Sequence, residues 1–499
     1  MFKRDNLCYN RYIAIYIYAS GISAITGRNG GKWLVWMAKM ANGVYKILYG
    51  AADARKMGEK ALGKTLTFRR GVHPHEGAGE KRATGARPIE VMPAPALAAV
   101  PLLQHAGAPC KPLVKIGERV YLGQKVGEAD GFVSAAVHAP VSGKVKGVQP
   151  RIIAGGRRVA AVLIENDGLD EWNPALAPAP DAEDPACLLE AVRAAGVVGM
   201  GGATFPTHVK LSPPKDKPID TVILNGAECE PFLSADHRVM IEEADAVVDG
   251  LRLAAKIVGA KALRIGVEDN KPDAAASLQK AAGQEARVCE VRAKYPQGSE
   301  KQLIQALTGR RVPSGGLPMD AGCVVINAST AVAISRAVRE GKPLIERVLT
   351  VGGEVGEGRN LRVRLGTEIG AAIAFCGGAK PGANKIVLGG PMMGQCAYDL
   401  QTPVTKGVSG ILLLRDDAPE KPLGNCVRCG GCVNVCPVGL MPLTLYALAR
   451  KGLYDRARDQ QHLMDCIECG ACAYQCPARL PLVQSIRAAK SALRRQQAR

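Results

Sequence analysis

Two blocks near the C-terminal end repeat one spacing: NCVRCGGCVNVCPVGL at residues 425–440 and DCIECGACAYQCPARL at residues 465–480. Each reads Cys, two residues, Cys, two residues, Cys, three residues, Cys-Pro. Three thiolates so spaced wrap one cubane iron–sulfur cluster, while the fourth reaches the other cluster in two-cluster proteins. The spacing therefore assigns Cys426, Cys429, Cys432 and Cys476 to one [4Fe–4S] centre, and Cys466, Cys469, Cys472 and Cys436 to a second. The backbone must bend tightly toward the cluster sulfurs, and Gly430, Gly431, Gly470 and Ala471 supply the small residues for this. Pro437 and Pro477 stop each loop. Zinc would ordinarily take two separated pairs of ligands, a pattern that two unbroken runs of four fit poorly. Disulfides are disfavoured because a chain of 499 residues can bury its own core and nothing marks a small secreted scaffold. The other cysteines, Cys8, Cys110, Cys187, Cys229, Cys289, Cys323, Cys376 and Cys396, lack metal spacing, and most of them read as small buried apolar residues. Reduced thiols and oxygen-sensitive clusters point to a reducing compartment.

A second constellation begins with GVVGMGGATFPTHVK, residues 196–210. Glycines 196, 199, 201 and 202 let the backbone approach a ligand closely, and successive N–H groups can cradle a phosphate. Taken alone, such a turn is more often structural, being neither a Walker loop nor a GxGxxG fingerprint. Its context adds weight. A strand, TVILNGAECEP, ends in a polar turn with Asn225, Glu228 and Glu230. Strands then alternate with Ala-rich helices to about residue 345, which predicts an α/β domain with ligand groups at its strand ends.

Composition bounds the rest. The chain is 47% hydrophobic and 22% charged, with no apolar run of eighteen residues, so it reads as globular and unable to span a membrane. At 4%, aromatic residues are too few for a base-stacking platform, and no nucleic-acid partner is expected. A formal charge of +19 predicts a basic surface suited to acidic partners or lipid headgroups, although a solvated face needs no partner. The stretch YIAIYIYASGISAI, residues 12–25, mimics a signal peptide but is too short to span comfortably, and export conflicts with the clusters. Residues 1–65 thus read as an atypical extension, with Met37, Met40 or Met57 as alternative starts.

The chain divides by composition. In residues 66–168, short Val/Ile strands alternate with Gly-containing turns, predicting a small β sandwich. VHAPVSGKV at 137–145 is similar to the hairpin of lipoyl and biotinyl carrier domains, without their Met-Lys-Met setting, so Lys144 reads as an ordinary lysine. An acidic Pro/Ala-rich linker covers 169–185, and the α/β domain 186–344. Residues 345–415 follow, with RVLTVGGE and KIVLGGPMMG. The two cysteine blocks span 416–482, joined by an amphipathic helical stretch with Leu443, Leu445, Leu448 and Leu453 as expected core. A basic tail, 483–499, is a frayed end or a contact for lipid or a partner.

Read in order, GVHPHEG, PLLQHAGAP, VHAPVSGKV, GMGGATFPTHVK, NGAECEP, YPQGSEKQLI, LGGPMMG and the two cluster motifs resemble the C subunits of Rnf (Rsx) ion-translocating electron transport complexes, from about Leu66 to Leu482. Three of these segments also resemble the flavin- and NADH-binding subunit of respiratory complex I. The resemblance implies a multidomain α/β chain: a lipoyl-like barrel-sandwich domain, an α/β flavin/NADH-binding domain, a β-grasp soluble-ligand-binding domain and a helical two-cluster ferredoxin domain. It also implies an NADH-linked oxidoreductase subunit passing electrons between NAD(H), FMN and two [4Fe–4S] clusters. Its expected partners are the membrane subunits and, through the complex, ferredoxin; its expected place is the cytoplasmic face of the bacterial inner membrane, as a peripheral protein. The alternative is a soluble flavin/iron–sulfur corrin (cobalamin) reductase.

Carried over residue by residue, the resemblance places Gly199, Gly201 and Gly202 at the flavin and nicotinamide, with Lys210 toward a phosphate. Asn225, Glu228, Tyr295, Gly298, Glu300, Asn327 and Thr330 fall at flavin-site positions. Phe205 and Glu230 correspond to residues that hold the nicotinamide for hydride transfer. Met200, Ala227, Ser299 and Ile326 depart from the complex I pattern, which has arginine, aspartate, glutamate and asparagine there.

Overall fold

The computed structural model describes residues 65–74, 80–416 and 423–497. The expected N-terminal extension and its alternative starts lie outside the described residues, as does part of GVHPHEG. Thr65–Arg499 forms one compact unit.

The first module is a sandwich of two small antiparallel sheets. One has the order Leu97–Pro101, Arg158–Asn166, Gly143–Ile152, Arg119–Val120; the other joins Lys111–Pro112, Lys125–Glu128 and Val137–His138. Alternate apolar residues such as Val100, Val120, Val137, Val145 and Ile164 fill the space between them. Lys144 is an exposed residue of a strand, paired in register with Arg119 and Glu165.

In the second module, four parallel strands run in the order Ala286–Val291, Ala262–Glu268, Thr221–Gly226, Cys323–Asn327. Helices cover both faces, so the strands read as near-continuous apolar runs. Val222 and Leu224 face a core with helices Pro185–Ala194, Ala244–Val258 and Ala328–Glu340, whereas Ile223 and Val325 meet Leu303, Ile304 and Leu307 of helix Glu300–Thr308. Asp184 caps the first of these helices, accepting from the amides of Ala186 and Cys187. Asn327 caps Ala328–Glu340 by accepting from Thr330 N at 3.3 Å.

The third module is a six-stranded mixed sheet in which Arg359–Arg364, Glu346–Gly353, Gly410–Leu414 and Lys385–Leu388 are consecutive neighbours, with helix Ile369–Phe375 packed against it. Its edge strand is Glu90–Val91, parallel to Leu361–Arg362. The segment 66–168 is therefore not confined to the sandwich, since Leu66 also bridges to Val291 and Val72 to Tyr295. A two-residue strand has no periodicity to read, so the sequence hides it.

The last module is helical. Leu445, Ala449, Leu463, Ile486, Ala489 and Leu493 form its core. Two expectations are corrected here. Leu453 is exposed, because it precedes helix Tyr454–Gln461 rather than lying within a helical face. Most of the basic tail is helix Leu482–Gln497, held in place by an apolar stripe rather than frayed. No helix among the described residues is long and apolar enough to cross a membrane.

Candidate functional site

The two cysteine blocks adopt the same backbone. Arg428 and Glu468 have φ of 54° and 57°, Gly430 and Gly470 73° and 82°, and Gly439 and Arg479 78° and 53°. Left-handed arginine and glutamate are uncommon, and finding them at matched places shows that the two loops share one geometry. Of the four small residues expected to make the turns, Gly430 and Gly470 take the left-handed conformation, and Gly431 and Ala471 open short helices.

The cysteines gather in the crossed sets. Cys436, Cys466, Cys469 and Cys472 line an apolar hollow with Pro437, Leu440 and Leu445. Cys426, Cys429, Cys432 and Cys476 line another with Leu443 and Leu482. Each donor set is therefore four thiols around an apolar hollow, which suits a cluster. Main-chain amides already turn toward sulfur, from Leu440 N to Cys436 Sγ at 3.3 Å and from Glu468 N to Cys466 Sγ at 3.4 Å. Burial pushes the Cys469 and Cys472 thiols up to about 12, and the iron of a bound cluster would supply the positive charge that favours their thiolate form. The two hollows differ in exposure. Cys436, Cys469 and Cys472 are buried, whereas Cys426 and Cys429 are exposed.

The glycine loop lies at the carboxyl ends of two neighbouring strands, where Asn225 and Asn327 stand side by side in register. Gly199 N donates to Phe205 O at 2.9 Å, closing the loop on itself. Gly201 and Gly202 are exposed at its tip. A Cβ at Gly201 would come within 3.0 Å of Asn327, whereas one at Gly202 would meet nothing within 4 Å. That leaves a bare backbone facing open space above two carboxamides, a surface that a planar, phosphorylated ligand such as FMN fits. Thr330 is buried beneath the loop, and its hydroxyl accepts from Met200 N at 2.9 Å. Lys210 and Glu300 are brought together, with Nζ 2.5 Å from Oε1 and 3.0 Å from Val325 O.

Several expected ligand residues serve the scaffold. Asn225 Nδ2 donates to Gly298 O at 2.8 Å, and Gly298 packs so closely on Ala227 O that a Cβ would stand 2.5 Å away. Asn327 Nδ2 and Ser329 Oγ each donate to Asp236 at 2.6 Å. The Glu228 carboxylate accepts from the amides of Asp236 and His237, and burial with the Asp236 charge raises it to about 7. Glu230 accepts from Met392 N and Met393 N, each at 2.9 Å, and burial raises it to about 7 despite those bonds. Phe205 is half-buried at the loop's end. Tyr295 is fully buried and points away from the glycine loop's partners: its hydroxyl donates to Cys469 O at 2.5 Å.

Sequence reasoning missed several residues that hold this site together. Lys81 Nζ donates to the carbonyls of Glu228 and Glu230 at 2.5 and 3.0 Å. Arg347, buried in the third module, donates to Lys406 O at 2.5 Å and to Met200 O at 3.5 Å. Lys406 is fully buried where three modules meet, donating to Ala136 O and Gly196 O at 2.7 Å each. Gln297, beside Gly298, is fully buried with both side-chain polar atoms unpartnered by protein. Only the Met392–Met393 loop carried a signal, the glycine pair of LGGPMMG, which permits the approach: a Cβ at Gly390 would collide with the Glu230 carboxylate.

Known families match these modules in turn. The RnfC barrel sandwich hybrid domain matches residues 66–169 and the Nuo51 FMN-binding domain residues 192–336. The SLBB domain matches 348–395 and the 4Fe-4S dicluster domain 425–480. The chain is 47% identical over 430 residues to the C subunit of the proton-translocating ferredoxin:NAD(+) oxidoreductase complex of Clostridium ljungdahlii, covering 85% of this chain and 93% of that one. It is 48% identical over 430 residues to the Na(+)-translocating counterpart of Acetobacterium woodii, covering 85% and 96%. It is also 44% identical over 444 residues to the C subunit of the ion-translocating oxidoreductase complex of Rhodobacter capsulatus, covering 87% and 85%. With the cysteine sets, the parallel sheet and the sandwich all matched in order, the chain belongs to the RnfC family, the C subunits of ion-translocating ferredoxin:NAD(+) oxidoreductase complexes.

Proposed function

We propose that this protein carries electrons between NAD(H) at the glycine loop and membrane subunits at its far end, by way of FMN and two [4Fe–4S] clusters in a set order. An FMN-binding domain and a dicluster domain are both present, and the relatives are oxidoreductase subunits. The corrin reductase alternative finds no support among them. FMN when bound would accept one hydride, two electrons at once, and release them singly, which links a nicotinamide to a one-electron cubane.

The chain's own residues do the rest. Gly201 and Gly202 offer main-chain N–H groups at the tip of the loop that Gly199 closes, and Lys210 brings a cation whose charge Glu300 moderates. Asn225 and Asn327 mark the neighbouring strand ends that would face the flavin, and Gln297 offers spare polar atoms beside Gly298. Thr330 and Arg347 fix the Met200 peptide from below. Phe205 and Glu230 hold the nicotinamide side. Near neutral pH the carboxyls of Glu228 and Glu230 take up or release a proton, which suits a site where hydride and electron chemistry meet.

One observation carries the order of the relay: Tyr295, from the turn next to Gly298, bonds the main chain of Cys469. The buried cluster of Cys436, Cys466, Cys469 and Cys472 stands next to the flavin domain, and the cluster of Cys426, Cys429, Cys432 and Cys476 is the exit toward the membrane subunits. In this reading the protein is peripheral, on the cytoplasmic face, which its relatives' place in an ion-translocating complex and the lack of a membrane-crossing helix among the described residues support. Anaerobic purification with flavin and iron analysis, followed by NADH addition, tests the reading. About eight irons per chain, with flavin bleaching and cluster reduction, are expected; iron without flavin, or no response to NADH, overturns it. High salt should release the protein from membranes, and a protein that never sediments with them is not peripheral.

A further inference from the structure

The C-terminal helix does more than close the ferredoxin module. Its apolar stripe of Ile486, Ala489 and Leu493 draws Lys490 inside, leaving it 5% exposed. Lys490 Nζ sits 2.5 Å from the carbonyl oxygen of Cys466 and 3.0 Å from Glu468 Oε1. One turn earlier, Arg487 Nε donates to Glu468 Oε2 at 3.1 Å. Two cations and one anion thus stand against the loop that bears Cys466 and Cys469. The other loop is built differently. Its matching left-handed residue is Arg428, which is exposed.

A cubane held by four thiolates becomes more negative when it takes an electron. A fixed cation beside it stabilises the reduced form, and burial keeps water and salt from screening that effect. An exposed arginine on the second loop is screened far more. We infer that Lys490 sets the reduction potential of the cluster held by Cys436, Cys466, Cys469 and Cys472, holding it above the value that its ligands alone would give, and that Glu468 opposes this. Lys490 acts through charge and through the Cys466 peptide; it is a positioning residue, not a ligand. The inference rests on the relay reading, in which this cluster receives electrons before the exposed one.

The test is a potentiometric titration followed by electron paramagnetic resonance on the anaerobically purified full chain, comparing wild type with Lys490→Met, Lys490→Arg and Glu468→Gln. Lys490→Met should shift one of the two cluster potentials to more negative values, by about tenfold in the reduction equilibrium or roughly 59 mV for one electron. Glu468→Gln should shift the same cluster to more positive values, Lys490→Arg should match wild type, and the second cluster should not move. Unchanged potentials in Lys490→Met, or shifts of the same sign in Lys490→Met and Glu468→Gln, overturn the inference. If Lys490→Met fails to assemble its cluster, the sign of the Glu468→Gln shift alone decides. Wild-type protein without two clusters would instead overturn the relay reading beneath it.

Discussion

The Tyr295 hydroxyl and the Cys469 carbonyl, 2.5 Å apart, join the turn beside the flavin site to a cluster ligand through one hydrogen bond. Around it, Val72, Ala471, Cys229 and Met392 pack into a small apolar seam between the modules. A buried neutral hydrogen bond contributes about 1 kcal/mol, so its value here lies in fixing a distance rather than in stability. Tyr295→Phe should retain both clusters and reduce its flavin at the wild-type rate, yet slow the following cluster reduction several-fold. Rapid mixing with NADH, watched at flavin and cluster wavelengths, separates the two phases; equal cluster rates would remove any coupling role from the hydroxyl.

Crossed ligation makes an asymmetric prediction. Cys476→Ser lies in the second motif but should abolish or alter the resonance signal of the first motif's cluster, and Cys436→Ser should do the reverse. Iron should fall from about eight to about four in each. Loss of the signal belonging to the mutated motif would show that each block binds its own cluster.

Gly202→Ala separates cofactor space from packing. A Cβ there meets no protein atom within 4 Å, so the unfolding free energy should stay within about 0.5 kcal/mol of wild type. Flavin occupancy should drop markedly, because the methyl fills the space left for the ligand. Full flavin content in this variant would move the binding surface elsewhere.

Lys406 is a buried ammonium bonded to two carbonyls, and burial lowers it from 10.5 to about 8. Between these values the unfolded chain holds the proton that the folded chain has released, so stability rises with pH across that window. The rise amounts to roughly 3 kcal/mol at most. Lys406→Met should lack this rise, as measured by urea unfolding between pH 7.5 and 10. A parallel pH profile in both proteins would contradict the assignment.

Glu230 behaves with the opposite sign. Burial raises its carboxyl from 4.5 to about 7, so the folded chain holds a proton that the unfolded chain has lost. Its contribution is present in full below 4.5 and disappears as pH rises through 7. Glu230→Gln should flatten part of that decline, with Glu228 accounting for the remainder. The same variant should raise the KM for NADH, since the Met392–Met393 loop loses its charged anchor.

What is legible in the sequence follows the range of the forces involved. Cluster ligation depends on residues three and four apart, so the crossed sets can be read from spacing alone. The parallel strands are equally legible, since burial on both faces leaves an uninterrupted apolar run such as TVIL. Lys81, Arg347, Lys406 and Lys490 are not, because each acts on a carbonyl far away in the chain or on another helix, and a lysine in a basic sequence looks like solvated surface. Leu453 misleads for a related reason: helical periodicity runs on through Gly452, where the chain turns with φ of 68°. The glycine loop stands out by its composition, yet Tyr295 and Glu230 face partners that only the tertiary arrangement reveals.

The strand Glu90–Val91 has a consequence in time. Its hydrogen-bonding partner, Leu361–Arg362, lies some 270 residues further along the chain. At ribosomal rates of about 5–20 residues per second, the early strand emerges tens of seconds before the edge it must complete. During that interval the sandwich and the parallel sheet can form around a tether that already spans them. The third module therefore closes around a strand made long before its partner, and that strand stays unpaired in any copy whose synthesis stops in between.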